Sequence, residues 1–216
     1  MDGSCFSTSV DYVSIFCVEI HAGAKVAITG DDKDGKSLFA KSLVGLDSPN
    51  QGVVRVADLD PCRIAGGPSH QIVGYAGRNE VFAGTVRENV DLGRAGIGQS
   101  RVRHAIEAVG LSDVMLQLRK GLQTRLQTGG YPLTDEQVSR LMIARAIVAN
   151  PKLLVLNGVL DNVSPANLPA ILDKLLGSNA SWTLIVTTDK SEIAERCDQQ
   201  ISFHQTKQFF QKGSKS

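Results

Sequence analysis

The chain has 216 residues, 42% of them hydrophobic and 21% charged, with a net charge of +1. That length and balance fit one sizeable soluble domain, or a domain with a small lobe, and give no electrostatic footing for a nucleic-acid partner. Cys5, Cys17, Cys62 and Cys197, and equally His21, His70, His104 and His204, are dispersed without metal-ligand spacing, so they read as thiols and imidazoles of a reducing compartment. The N-terminal MDGSCFSTSVDY lacks the basic-then-apolar order of a secretory signal. No apolar run approaches the ~20 residues of a membrane-spanning helix. A role at a membrane would therefore require docking there, or a longer chain of which this is a part.

In chain order, VSIFCVEI (13–20) and KVAITG (25–30) are apolar, β-branched and glycine-bounded, which predicts two strands. GKSLFAKSLVGL (35–46) has helical spacing and should start at Lys36. QGVVRVADL and QIVGYAG read as further strands. From Thr85 to about Gly129 the pattern turns helical; in RVRHAIEAVGL, Val102, Ile106 and Val109 share one face. LTDEQVSRLMIARAIVAN (133–150) predicts a long helix stopped by Pro151. KLLVLNG (152–158) and TLIVTT (183–188) are unbroken apolar runs, the mark of buried parallel strands. PANLPAILDKLLG and KSEIAERC read as helices. QQISFHQ and KQFFQKG read as a closing hairpin or a pair of edge strands, and GSKS (213–216) is expected to be disordered. Strands alternate with helices at both ends around a helical middle, so the expected fold is α/β, a single domain over 1–216 with an inserted helical lobe at about 85–150.

Residues 30–37, GDDKDGKS, have the GxxxxGK[ST] spacing of a phosphate-binding loop, placed after a strand and before a helix. Backbone N–H groups and the helix start would cradle phosphate, Lys36 would reach its outer groups, and the Ser37 hydroxyl would meet Mg²⁺. Between these stand Asp31, Asp32 and Asp34, opposed by Lys33 and Lys36; three negative and two positive charges leave −1. A carboxylate about 5 Å from a phosphate charge costs roughly 3 kcal/mol at an effective dielectric near 20. The loop therefore keeps the form of a phosphate cradle with little of its electrostatic pull.

Together with FAGTVRENV (82–90) and GLQTRLQTGGYPLTDEQVSRLMIARAIVANPKLLVLNG, this loop resembles the nucleotide-binding domain of an ABC transporter, nearest to the exporter branch. The motifs stand in family order from the strand at 13–20 to that at 183–188. The resemblance implies a P-loop ABC-type ATPase fold with a β-subdomain and a helical subdomain. It implies ATP at Gly30, Asp31, Asp32, Lys33, Asp34, Gly35, Lys36, Ser37 and Leu38, with Mg²⁺ at Ser37. An adenine-stacking aromatic would be Phe6, with Tyr12 the alternative. Its partners would be a transmembrane domain or subunit, and a second such domain. It places the chain in the cytoplasm, peripheral to the inner or plasma membrane.

Departures from the family pattern concentrate at the chemistry. The signature LSGGQ is here Leu133, Thr134, Asp135, Glu136, Gln137. The strand-ending Asp-Glu pair, which holds the metal shell and acts on the attacking water, is Asn157-Gly158. The switch histidine falls at Thr188, and the metal-touching glutamine at Arg78. The expectation is a degenerate cassette: nucleotide binding weak or absent, Mg²⁺ doubtful, hydrolysis lost or very slow. Arg78 could place its guanidinium near phosphate in place of a metal. Thr134 with Gln137 also reads as a helix capping box, with Asp135 and Glu136 suiting the first turn. Two acidic residues facing an acidic loop would make an ATP-sandwiched homodimer unfavourable, so the partner expected is a catalytically competent domain. Phe82 and Val86 would meet the transmembrane part, or else lie in the core of the helical lobe. Two other readings stand beside this one: a non-transport scaffold or regulatory pseudo-ATPase, and a residual ATPase using Asp161 or Asp189, the nearest carboxylates.

Overall fold

The computed structural model describes residues 4–7, 16–30, 35–48, 51–56, 59–62, 72–77 and 80–202. Expectations for Tyr12, Asp31, Asp32, Lys33, Asp34, Arg78, the KQFFQKG strand and the 213–216 tail lie outside these residues. From the N-terminus run strands β1 (Ser4–Ser7), β2 (Phe16–Val18) and β3 (Lys25–Thr29), helix α1 (Lys36–Leu43), then β4 (Gln51–Gly52) and β5 (Val73–Ala76). The middle holds β6 (Gly84–Thr85), α2 (Val86–Asp91), α3 (Gln99–Ala108), α4 (Ser112–Gln117), β7 (Arg125–Leu126) and α5 (Asp135–Ile147). The chain then alternates: β8 (Leu153–Asn157), α6 (Leu168–Leu176), β9 (Thr183–Thr187), α7 (Ser191–Ala194) and β10 (Gln199–Ser202).

Five of these strands form a parallel sheet in the order β10-β3-β9-β8-β5. Helices cover both faces, which is why its strands are apolar without interruption. The period of two sorts their side chains. Ala27, Leu154, Leu156, Leu184 and Val186 enter the core shared with α5 and α6. Val26, Ile28, Leu153, Val155 and Ile185 enter a second core with Phe39, Ala40 and Leu43 of α1. α5 lies so close to the sheet that a Cβ on Gly74 would stand 2.3 Å from the Ala146 carbonyl oxygen. β1, β2 and β4 make a separate antiparallel sheet.

Several expectations are corrected. Of the strand foreseen over 13–20, the described residues 16–20 are strand at Phe16–Val18. Among the described residues of QGVVRVADL the strand is Gln51–Gly52, and Val56 and Leu59 pair in an isolated antiparallel bridge. The helical stretch from Thr85 is closed by an antiparallel pairing of β6 with β7, Gly84 opposite Leu126. α5 ends at Ile147, before Pro151, with Asn150 in the left-handed region at φ 52°. QQIS lies parallel to β3 at the sheet's edge, in line with the edge-strand alternative, and its foreseen partner KQFFQKG lies outside the described residues. Val102, Ile106 and Val109 are buried as foreseen.

Arg145 of α5 binds the helical lobe to the sheet. Its Nε donates to the Asn89 carbonyl at 2.6 Å, Nη1 to the Glu80 carbonyl at 2.9 Å and Nη2 to Asn89 Oδ1 at 2.9 Å. Its guanidinium also stands 5.6 Å from the centre of the Phe82 ring, which is 40% exposed. Val86, by contrast, is fully buried, so of the two residues weighed for docking it belongs to the core. Arg145→Ala should lower the unfolding free energy by about 3 kcal/mol in denaturant titration, since two buried acceptors and one part-buried acceptor lose a charged donor. Arg145→Lys should recover only part of that loss, because an ammonium lacks the planar fork.

Candidate functional site

The site forms at the carboxyl ends of β3, β8 and β9, where a parallel sheet gathers loops from distant sequence. After β3 the backbone turns at Gly30, φ 116°, and re-enters a helix at Gly35, φ 92°, a conformation that glycine alone adopts cheaply. α1 starts at Lys36, as its sequence predicts, with the Phe39 N–H donating to the Gly35 carbonyl at 2.9 Å. Leu38 is half-buried against the α1 core. β3 and β9 are neighbours in register, Ile28 beside Thr187. That adjacency brings the Lys36 ammonium to the carboxylate of Asp189, 153 residues away, as a hydrogen-bonded ion pair. The lysine side chain is 5% exposed and the aspartate 70%.

Asn157 closes β8. Its Oδ1 accepts from Thr187 Oγ1 at 2.8 Å and, more loosely, from Ser37 Oγ at 3.4 Å; its Nδ2 donates to the Tyr75 hydroxyl at 3.3 Å. Burial pushes the Tyr75 phenol up, against the lowering effect of the Asn157 hydrogen bond; the Glu80 charge adds to the rise. Gly158 follows at φ 64°, its N–H donating to the Thr187 carbonyl at 3.1 Å. Thr188 is buried and its hydroxyl donates to Asp161. Asp161 Oδ2 accepts the Asp189 N–H at 3.2 Å, and the Thr188 hydroxyl oxygen accepts the Lys190 N–H at 3.0 Å.

For the magnesium that the family implies, Ser37 and Asn157 are the described residues that would face it; both are neutral, and Ser37 Oγ donates to Asn157 Oδ1 at 3.4 Å. A hard divalent cation takes carboxylate or phosphate oxygens at such a site. Among the described residues no group of three His, Cys, Asp or Glu side chains is placed to hold a metal ion. The nucleotide is a separate matter: Gly30 and Gly35 have positive φ and α1 starts at Lys36, while residues 31–34 between them lie outside the described residues. Phe6 pairs through its backbone with Phe16 and Gly52, placing it in the small antiparallel sheet.

The signature stretch opens α5. Leu133 is buried. Thr134 caps the helix: its Oγ1 accepts the Gln137 N–H at 3.3 Å, and its own N–H donates to Gln137 Oε1 at 3.0 Å. The capping box foreseen in the sequence is thus formed. Asp135 is exposed. Glu136 was expected to face outward beside Asp135; instead its Oε1 accepts from Ser164 Oγ at 2.7 Å, the Ser164 N–H at 3.2 Å and Asn167 Nδ2 at 2.8 Å. Hydrogen-bond donors at the turn before α6 hold it inward. Two links had therefore escaped sequence reading, Glu136 to Ser164–Asn167 and Lys36 to Asp189. The only signal for the second was an aspartate directly after the switch position.

The Glu136 carboxyl makes a prediction. Burial opposes its ionisation, but the hydrogen bonds from Asn167 and Ser164, with the Arg140 charge, outweigh burial and hold its titration below the ordinary value. A lowered folded value contributes stability above the unfolded one, about 4.3, and loses it as pH falls through the folded value. Glu136→Gln should cost about 1 kcal/mol at neutral pH. In thermal unfolding, its difference from the unsubstituted chain should shrink as pH falls from about 5 toward 3.

Comparisons with known proteins bear on the whole of this arrangement. A family model described as ABC transporter matches residues 14–158. ABC transporter B family member 18 of Arabidopsis thaliana is 28% identical over 190 residues, 85% of this chain and 15% of that protein. The transport/processing ATP-binding protein ComA of Streptococcus pneumoniae is 27% identical over 91% of this chain and 28% of its own length. The glutathione/L-cysteine transport system ATP-binding/permease protein CydC of Haemophilus influenzae is 30% identical over 84% of this chain and 32% of its own. The chain thus spans a third or less of these relatives. Among solved structures, that of a bacterial Atm1-family ABC exporter with ATP bound superposes with a TM-score of 0.81 over 93% of this chain and 36% of the other, at 23% identity. The parallel sheet, the glycine turn into α1 and the match across 14–158 together assign the chain to the ABC transporter family, with its P-loop ATPase fold.

Proposed function

We propose that this chain is a non-hydrolysing ATP-binding cassette of an exporter-type system. It acts by docking to a transmembrane part, fused or separate, and beside a partner cassette that is able to hydrolyse ATP. The observation that carries this reading is the state of the strand ends. Hydrolysis needs a group to orient or deprotonate water, and charge neutralisation at the phosphates. A positioned acid–base group alone contributes about 10²–10⁴ in rate. At β8 that position is Gly158, without a side chain and at φ 64°; at β9 it is Thr188, whose hydroxyl is committed to Asp161. Asp161 accepts bonds from both Thr188 and the Asp189 N–H, and Asp189 is paired with Lys36, so neither offers itself as a relocated base.

The exporter assignment rests on the relatives, which carry names of ATP-binding and permease proteins of transport systems. The chain spans a third or less of their length, which supports a transmembrane partner. No helix among the described residues is long and apolar enough to cross a membrane, so this chain would meet the bilayer through that partner, as a peripheral cytoplasmic element. Phe82, exposed beside the helical lobe, is the residue proposed to meet it. The signature end of α5 favours an asymmetric pair. Thr134 spends its hydroxyl oxygen on the helix cap, and exposed Asp135 would stand where a partner's phosphates come close. One carboxylate at that distance weakens phosphate binding by roughly a hundredfold.

Purified chain should release phosphate from ATP no faster than its Lys36→Ala variant does; rapid release that vanishes with Lys36→Ala would end this reading. Because Ser37 and Asn157 are both neutral, calorimetric titration should give the same nucleotide affinity in EDTA as in Mg²⁺, with Arg78 as the proposed cation at the phosphates. Strict Mg²⁺ dependence would exclude that role.

A further inference from the structure

The ion pair at the mouth of the phosphate loop joins two groups of opposite exposure. Lys36 is 95% buried by side chain, whereas Asp189 is 70% exposed. A buried ammonium requires a counter-charge, while an exposed carboxylate is well served by water. The pair therefore answers a need of Lys36, which is the side chain that would meet phosphate in this fold. Asp189 is also held in place by its surroundings. Its N–H donates to Asp161 Oδ2 at 3.2 Å, the preceding Thr188 hydroxyl donates to Asp161, and the following Lys190 Nζ donates to the Val163 carbonyl at 3.1 Å. Three consecutive residues are thus fastened to the turn after β8, and the carboxylate is presented to Lys36 from that fixed loop.

From this we infer that Asp189 is an internal surrogate for phosphate: its carboxylate occupies the place of the anion on Lys36 and sets the chain's low affinity for polyphosphates. The inference rests on the proposed non-hydrolysing role and supplies its structural counterpart. A di- or triphosphate must displace the carboxylate before it gains the ammonium, and the displaced charge stays nearby and repels it. The second consequence concerns shape. In this chain the start of α1 and the loop after β9 are joined by the protein itself, so the two sides of the cradle stay connected without a ligand.

The test uses the full chain in EDTA, with pyrophosphate and ATP as probes in calorimetric titration. Asp189→Asn keeps the side chain's size and removes its charge, and should bind both probes at least about tenfold more tightly than the unsubstituted chain. The gain should vanish in the Lys36→Met, Asp189→Asn double variant. Equal affinity of Asp189→Asn and the unsubstituted chain would overturn the inference, as would a gain that survives loss of Lys36. Ligand-free thermal unfolding gives a readout independent of binding. Asp189→Ala strands a buried cation and should lower the midpoint more than Lys36→Met, which strands only an exposed carboxylate; the reverse order would also overturn the assignment. Phosphate release by the unsubstituted chain would sink the non-hydrolysing role while leaving these affinity and stability comparisons to stand or fall separately.

Discussion

A parallel sheet delivers every one of its strands to the same edge, and this chain depends on that geometry. β3, β9 and β8 lie side by side in register, so the loop after Thr29, the loop after Thr187 and the end of β8 at Asn157 converge although they lie far apart in sequence. Packing on both faces fixes the register, because a slip of one residue would exchange the two cores that alternate residues fill. In most members of such a fold the convergence serves a ligand. Here the same convergence lets the protein bond to itself: Ser37 to Asn157, Asn157 to Thr187, Lys36 to Asp189, Thr188 to Asp161. Each contact crosses between segments that only the sheet brings together.

Much of the fold was legible because its signals are local. The apolar runs of β3, β8 and β9 and the helical face of Val102, Ile106 and Val109 state their burial in the sequence, and the structure gives them 0–7% exposure. The Thr134–Gln137 cap was equally legible, since its partners are three residues apart. Less legible was the small antiparallel sheet. Among the described residues of 13–20 the strand runs Phe16–Val18, and QGVVRVADL looked like one strand by composition but pairs Val56 with Leu59 in an isolated bridge. Edge strands draw their order from partners distant in the chain, and composition does not reveal those partners.

The site was legible in its losses and not in its replacements. Asn157, Gly158 and Thr188 could be named because a resemblance assigns their positions. What those residues do instead could not be named, since a hydrogen bond between Thr188 and Asp161 depends on the turn after β8 meeting the loop after β9. Glu136 shows the same limit more sharply. As sequence it is one of two acids at a signature position, equivalent to Asp135. In the structure the turn at Ser164–Asn167 offers it three donors and Asp135 remains exposed, so adjacent residues of like charge have opposite roles.

These contacts bear on how a cassette without its reacting groups, as proposed for this chain, would hold together. Removing a glutamate or a histidine from a built site leaves behind donors and acceptors that the lost groups or the ligand had satisfied, and each orphan buried there costs about 1–3 kcal/mol. In this chain those groups have found partners. Asn157 uses both its oxygen and its nitrogen, Thr188 donates to Asp161 and accepts from Lys190, and Lys36 has Asp189. Of the buried side-chain polar atoms among the described residues, the two that lack a hydrogen-bond partner are Thr124 Oγ1 and Arg140 Nε, and neither belongs to this cluster. A ligand is therefore not needed to complete the carboxyl edge of the sheet. The consequence is energetic as much as chemical. On the proposed reading, an entering polyphosphate must first break the Lys36–Asp189 bond that the protein makes with itself.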